Sequence, residues 1–182
     1  MSHEPPQTVT AFAGNRRIAQ GACADVAAAL RRRQADHPQE RILVFDDSTG
    51  AQTDFDLSGS EAAVRSRYAP RRAGAGRPKL GVVAKEVTLL PRHWEWLAMQ
   101  PGGASAALRR LVDAARKGTD GPAARRARQS AAYRFMSAIA GDLPGFEEAS
   151  RALFADDSDR LRSLVAGWPA DVRDHALKLA GL

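Results

Sequence analysis

A single cysteine, Cys23, in 182 residues excludes an internal disulfide, and one thiol cannot assemble a Cys-rich zinc site. Extracellular disulfide scaffolds and zinc fingers are excluded with it. No run approaches the roughly 18 consecutive apolar residues that a spanning helix needs. The opening Met1-Ser2-His3-Glu4-Pro5-Pro6-Gln7 lacks the features of a signal or transit peptide, so a cytoplasmic location is expected. Catalytic signatures are missing too. There is no HExxH, no GxxxxGK[ST], no GxGxxG after a strand, and no Ser or Cys with a placed base. The four histidines are scattered, and Asp46, Asp47, Asp54 and Asp56 near one hairpin have no Glu or His at ligand spacing, so they read as turn formers and a solvated strand face. The expectation is no enzyme activity, no cofactor and no metal. Cys23, at the start of a helix, is either a thiol activated by the helix dipole or, more commonly, a small buried residue.

The chain does have an uneven charge. Apolar residues make up 44%, charged residues 26% and aromatic residues 6%, a globular composition with a net charge of +6. Residues 1–68 carry eight basic and nine acidic side chains, and residues 131–182 carry six and eight. Residues 69–130 carry thirteen basic side chains against four acidic, so the whole surplus lies there, at +9. The bland reading is an arginine-rich solvated surface. Confinement to a third of the chain is instead the footprint expected for a polyanionic partner.

Local patterns divide the chain into three parts after a short tail, residues 1–7, which is expected to be disordered. Residues 8–68 read as a small α+β domain. Thr8–Ala13 and Arg16–Gln20 flank Gly14-Asn15. A one-faced helix runs from Asp25 to Gln34 and stops before Pro38, and Arg41–Phe45 and Gln52–Leu57 suggest a second hairpin. Ser58 or Ser60 then caps a short helix. The predicted order is ββαββα, with both helices on one face of a four-stranded sheet. Residues 69–81 form a basic linker rich in Pro and Gly. Residues 82–118 give a β-prone run, Val82–Leu90, then a helix opened by Pro91 with Trp94 and Leu97 on its inner face. Pro101-Gly102-Gly103 breaks it. A second helix is capped by Ser105, with Leu108, Leu111 and Val112 inward. Trp96 points elsewhere, as a partner contact or a cover for the first helix. Residues 122–182 read as helices only, around 123–140, 146–154, 161–165 and 172–179, and predict a helical bundle.

Lys85-Glu86-Val87-Thr88-Leu89-Leu90-Pro91, Gly103-Ala104-Ser105 and Leu108-Arg109-Arg110-Leu111-Val112 together resemble the ribbon-helix-helix pattern of small bacterial DNA-binding proteins, over about a fifth of the chain. The resemblance implies a homodimer in which two strands pair as a ribbon in the major groove, and a second helix that aims its N-terminus at a phosphate. Neither register of the strand sets out a row of base-reading side chains, which leaves affinity to phosphate contacts. Gly76-Arg77-Pro78 with Lys79 is similar to the core of an AT-hook, an extended element that lays an arginine in a narrow minor groove. The run from Gly76 to Leu97, and the chain as a whole, is also similar to the uncharacterised bacterial domain-of-unknown-function 2239 family. That resemblance implies the three-part layout and brings no activity.

The expected function is dimeric DNA binding, of a regulatory kind, through Arg77, Lys79, Lys85, Arg92, Gly103, Ser105, Arg109 and Arg110, with Arg125, Arg126 and Arg128 as further phosphate contacts. The rival is a protein-interaction module in which the central strand completes a sheet in the same chain or in a partner, with no nucleic-acid role.

Overall fold

The computed structural model describes residues 8–70, 85–117 and 121–182. The tail at 1–7, most of the basic linker, and residues 82–84 of the expected central strand lie outside the described residues. The fold is α+β. Its elements are β1 (Thr8–Ala13), β2 (Arg16–Ala22), α1 (Cys23–Asp36), β3 (Ile42–Asp46), α2 (Glu61–Tyr68), α3 (Pro91–Ala98), α4 (Gly103–Lys117), α5 (Pro122–Ile139), α6 (Phe146–Phe154), α7 (Ser158–Val165) and α8 (Ala170–Ala180). Two compact units divide them: residues to Pro70 together with Arg126–Leu182, and Arg71–Arg125.

In the first unit the sheet has three antiparallel strands in the order β2-β1-β3. Its central strand reads Thr-Val-Thr-Ala-Phe-Ala, apolar on both sides of the pleat, so both faces need cover. Val9 and Ala11 pack with Val26 and Leu30 of α1. Phe12, on the other face, joins Phe45 and the C-terminal helices through Phe135, Met136, Leu161 and Val172. The expected one-sided sheet is therefore corrected to a sheet covered on both faces. The N-terminal strands and the C-terminal helices share one core.

The expected fourth strand is also corrected. Gln52 makes an isolated bridge to Phe45, and the Thr53 N–H donates to the Val44 carbonyl at 2.9 Å, but no ladder follows. Asp54 and Asp56 are exposed, while Phe55 and Leu57 pack against the α1 cluster. Alternation here arises from a loop laid over a helix, which imitates the period of a strand. Ser60 caps α2 by accepting from the Ala63 N–H at 3.2 Å. Among the described residues, no helix is long and apolar enough to cross a membrane.

Gly50 sets how closely α5 approaches the hairpin after β3. Its φ is +64°, and a Cβ built there would stand 1.9 Å from the Ala131 carbonyl oxygen. The Arg134 guanidinium donates to the Thr49 carbonyl at 3.2 Å beside it.

Candidate nucleic-acid interface

The second unit is built from α3 and α4. Leu90 precedes α3, and Pro91 opens it where a missing N–H costs nothing. The helix ends at Pro101-Gly102-Gly103. Gly102 and Gly103 have φ of +83° and +74°, the left-handed conformation that lets the chain reverse within two residues. Helix α4 begins at Gly103, two residues earlier than expected, so Ser105 lies inside its first turn and is not the cap. The Gly103 N–H donates to the Gln100 carbonyl at 2.9 Å and is not open to a phosphate. The anion site expected at this helix start therefore loses one of its donors.

Lys85–Leu90 forms no strand, and Lys85 to Leu90 has no ladder partner among the described residues. Within the single chain the expected ribbon strand is therefore not formed among the described residues. A strand needs a neighbour for its N–H and C=O groups, and this chain presents none to it among the described residues.

Burial in the unit is slight. Among the described residues its buried apolar side chains are Leu97 and Ala107, whereas Leu111 is 49% exposed, Val112 54% and Met99 75%. Trp94, expected in the core, is 42% exposed, and Trp96 is 48% exposed. Two short helices cannot enclose the apolar stripe of α4. A row of large apolar side chains left open in this way marks a contact surface.

Cations in the two units are paired to different extents: most of those in the first unit meet a carboxylate, while Arg41, Arg126 and Arg160 there are exposed and have no side-chain partner among the described residues. Arg33 meets Glu40 with its Nη2 at 2.8 Å, Arg67 meets Asp56 at 3.1 Å, Arg173 meets Asp174 at 2.8 Å, and Arg65 meets Asp25. In the second unit Lys85, Arg92 and Arg109 are exposed, and among the described residues none of the three has a side-chain ion pair or hydrogen bond. Arg110 is spent otherwise: its guanidinium donates to the Pro101 carbonyl at 2.9 Å and ties α4 back to the turn. Of the expected contact residues, Arg92, Gly103, Ser105, Arg109 and Arg110 fall on α3, α4 and their turn, and Lys85 lies six residues before α3. Arg77 and Lys79 lie outside the described residues. On α5, Arg125 and Arg126 are exposed and Arg128 lies against Gly181.

A polar cluster in the first unit carries no local sequence signal. Asp47 accepts from Thr10 Oγ1 at 2.6 Å, Lys178 Nζ at 2.8 Å and Gln20 Nε2 at 3.3 Å. Burial works to raise the Asp47 pKa, and these three donors outweigh it, so the carboxyl titrates below its ordinary value. His175 Nε2 stands 3.8 Å from Asp47 Oδ1, and the ring is fully buried between Phe12 and Phe135, at centroid distances of 5.5 and 4.6 Å. Burial, only partly offset by the Asp47 charge, pushes the His175 pKa down to about 4. The cluster joins α8 to the sheet and its hairpin; with the ring inaccessible, its role is structural.

Asp46 and Asp56 behave as turn formers, and Asp54 is exposed. Asp46 Oδ1 accepts from the Ser48 N–H at 2.7 Å and the Ser48 hydroxyl at 2.6 Å, and Asp56 accepts from the Ser58 N–H at 3.0 Å. Burial, then the Asp46 charge, raises the Cys23 thiol above its ordinary pKa, the opposite of an activated cysteine.

Comparison with curated proteins and with solved structures finds no match. The match to a family model covers residues 8–180, both units included. The chain thus belongs to the bacterial family described as an uncharacterised conserved protein, domain of unknown function 2239.

Proposed function

We propose that this is a cytoplasmic, dimeric DNA-binding protein, regulatory in role, whose second unit holds nucleic acid mainly through phosphate contacts. The observation that carries this reading is the contrast in charge pairing. Lys85, Arg92 and Arg109 have no carboxylate partner among the described residues, and they sit in the segment that holds the whole basic surplus. Unpaired cations on a common small unit keep their field outside the molecule, where it attracts a polyanion. The exposed Leu111 and Val112 support a second copy as the cover of α4, and Lys85–Leu90 gains a ladder partner if the same segment of that copy pairs with it. Such a pairing restores the ribbon-helix-helix arrangement at the level of the dimer.

Light scattering with and without a 20-base-pair duplex, at two salt concentrations, tests the proposal. A dimer that binds duplex at low salt and releases it at high salt is expected. A monomer that ignores duplex removes the proposal.

The exposure of Met99 and the two tryptophans favours one other reading, a helical hairpin that docks on a protein partner. It predicts association that survives high salt.

A further inference from the structure

Trp94 and Trp96 lie two positions apart on α3, so their directions differ by about 200° around the helix axis. Leu97, which is buried, marks the face turned toward the rest of the unit. Trp94 stands about 60° from Leu97 and Trp96 about 100° from it on the other side. One flat partner surface cannot cover both rings. A second copy seated along the apolar stripe therefore leaves one of them in solvent, and the ring turned further from Leu97 is Trp96.

The residue beside Trp96 on that outer side is Arg92, one turn earlier at i−4 and about 40° away around the axis. Arg92 is exposed, and its side chain has no hydrogen bond or ion pair among the described residues. Glu95 lies about 60° from Arg92 at i+3, on the side of Arg92 away from Trp96, and makes no ion pair with it among the described residues. An open indole one turn from a guanidinium that has no partner among the described residues combines a flat π surface with a cation on the same side of the helix. Bases stack on such rings with little regard to sequence, and arginine adds phosphate attraction. A base inside a duplex has both faces taken by its neighbours and cannot use the ring.

We propose that Trp96 and Arg92 form a stacking site for an unpaired nucleobase, so that the nucleic acid held by this unit includes a single-stranded stretch. This rests on the reading that the second unit binds nucleic acid, and it specifies which form. The charge surroundings favour this ligand over an apolar peptide, because the segment from residue 69 to 130 carries the +9 surplus, and a peptide that only fills an apolar groove has no use for an adjacent free cation.

The test uses the full chain carrying Trp94→Phe, which leaves Trp96 and the buried Trp168, whose Nε1 is held by the Pro144 carbonyl at 2.9 Å, as the emitting residues. It is titrated with a 20-nucleotide oligo-dT and, separately, with a 20-base-pair duplex. Oligo-dT is expected to quench Trp96 emission. On the Trp94→Phe background, Trp96→Ala should weaken oligo-dT binding about tenfold, Trp96→Phe should restore most of it, and duplex affinity should stay within about twofold in each. Duplex binding with no quenching by oligo-dT overturns this inference and leaves the duplex reading standing. An equal loss of both ligands in Trp96→Ala also overturns it. Binding of neither oligonucleotide overturns both readings together.

Discussion

The Arg110 guanidinium donates to the carbonyl oxygen of Pro101 at 2.9 Å, nine residues back along the chain, while the Arg109 side chain beside it has no hydrogen bond or ion pair among the described residues. Adjacent arginines of equal charge therefore have different work. Arg109→Ala is expected to leave thermal stability unchanged and to lower the salt slope of DNA binding by about one, the signature of one lost phosphate contact. Arg110→Ala is expected to loosen the turn at Gly102 and Gly103, seen as faster amide exchange at the start of α4. Equal salt slopes for the two variants would contradict this division.

His175 predicts how stability depends on pH. Its folded pKa is about 4, against an ordinary value of 6.5, so between those values the unfolded chain binds the extra proton. Stability is then fully present above pH 6.5 and is lost as pH falls toward 4, by up to about 3 kcal/mol for this group. Asp47, whose pKa is depressed, adds a second loss below pH 3.8 as its donors from Thr10, Gln20 and Lys178 lose their charged acceptor. Urea unfolding at several pH values reads both windows. His175→Leu should flatten the upper one, and an unchanged slope in that variant would assign the pH dependence to other groups.

Two glycines with positive φ are predicted to behave differently. Gly50→Ala places a Cβ against the Ala131 carbonyl and should cost roughly 2–4 kcal/mol, from backbone strain and displacement of α5. Gly14→Ala meets nothing within 4 Å and should cost about 1 kcal/mol, the strain alone. Thermal melts compare the two, and equal costs would contradict the close approach of α5 to this hairpin.

Leu111→Glu with Val112→Glu tests the open stripe of α4. These side chains are half-exposed, so the monomer should melt near the wild-type temperature while the proposed dimer dissociates. Sedimentation against concentration reads the association constant, and a loss of at least about tenfold is expected if these residues face the second copy. An unchanged constant would place the dimer contact elsewhere.

Much of the helical part was legible from local pattern. Pro91, Gly141 and the Gly102-Gly103 pair punctuate the helices where the residue chemistry says they must, and α5 to α8 lie close to their expected places. The strands were harder. Thr8–Ala13 is apolar toward both faces, and a short run of this kind does not reveal that helices from the far end of the chain cover its second side. Gln52–Leu57 alternates as a strand does while lying over α1. The Asp47, His175 and Lys178 cluster joins residues more than a hundred positions apart and left no trace in spacing. Confinement of charge was visible in the sequence. Which arginines stay unpaired was not, because pairing depends on carboxylates brought from other elements, as Asp25 is to Arg65.

The most direct test of the account is the salt dependence of duplex binding, measured by fluorescence anisotropy on a labelled 20-base-pair DNA between about 50 and 200 mM salt. A dimer that neutralises about six phosphates predicts a slope of log K against log salt of roughly −5. A slope near zero, or no binding at the lowest salt, would contradict a function carried by the unpaired cations of the second unit.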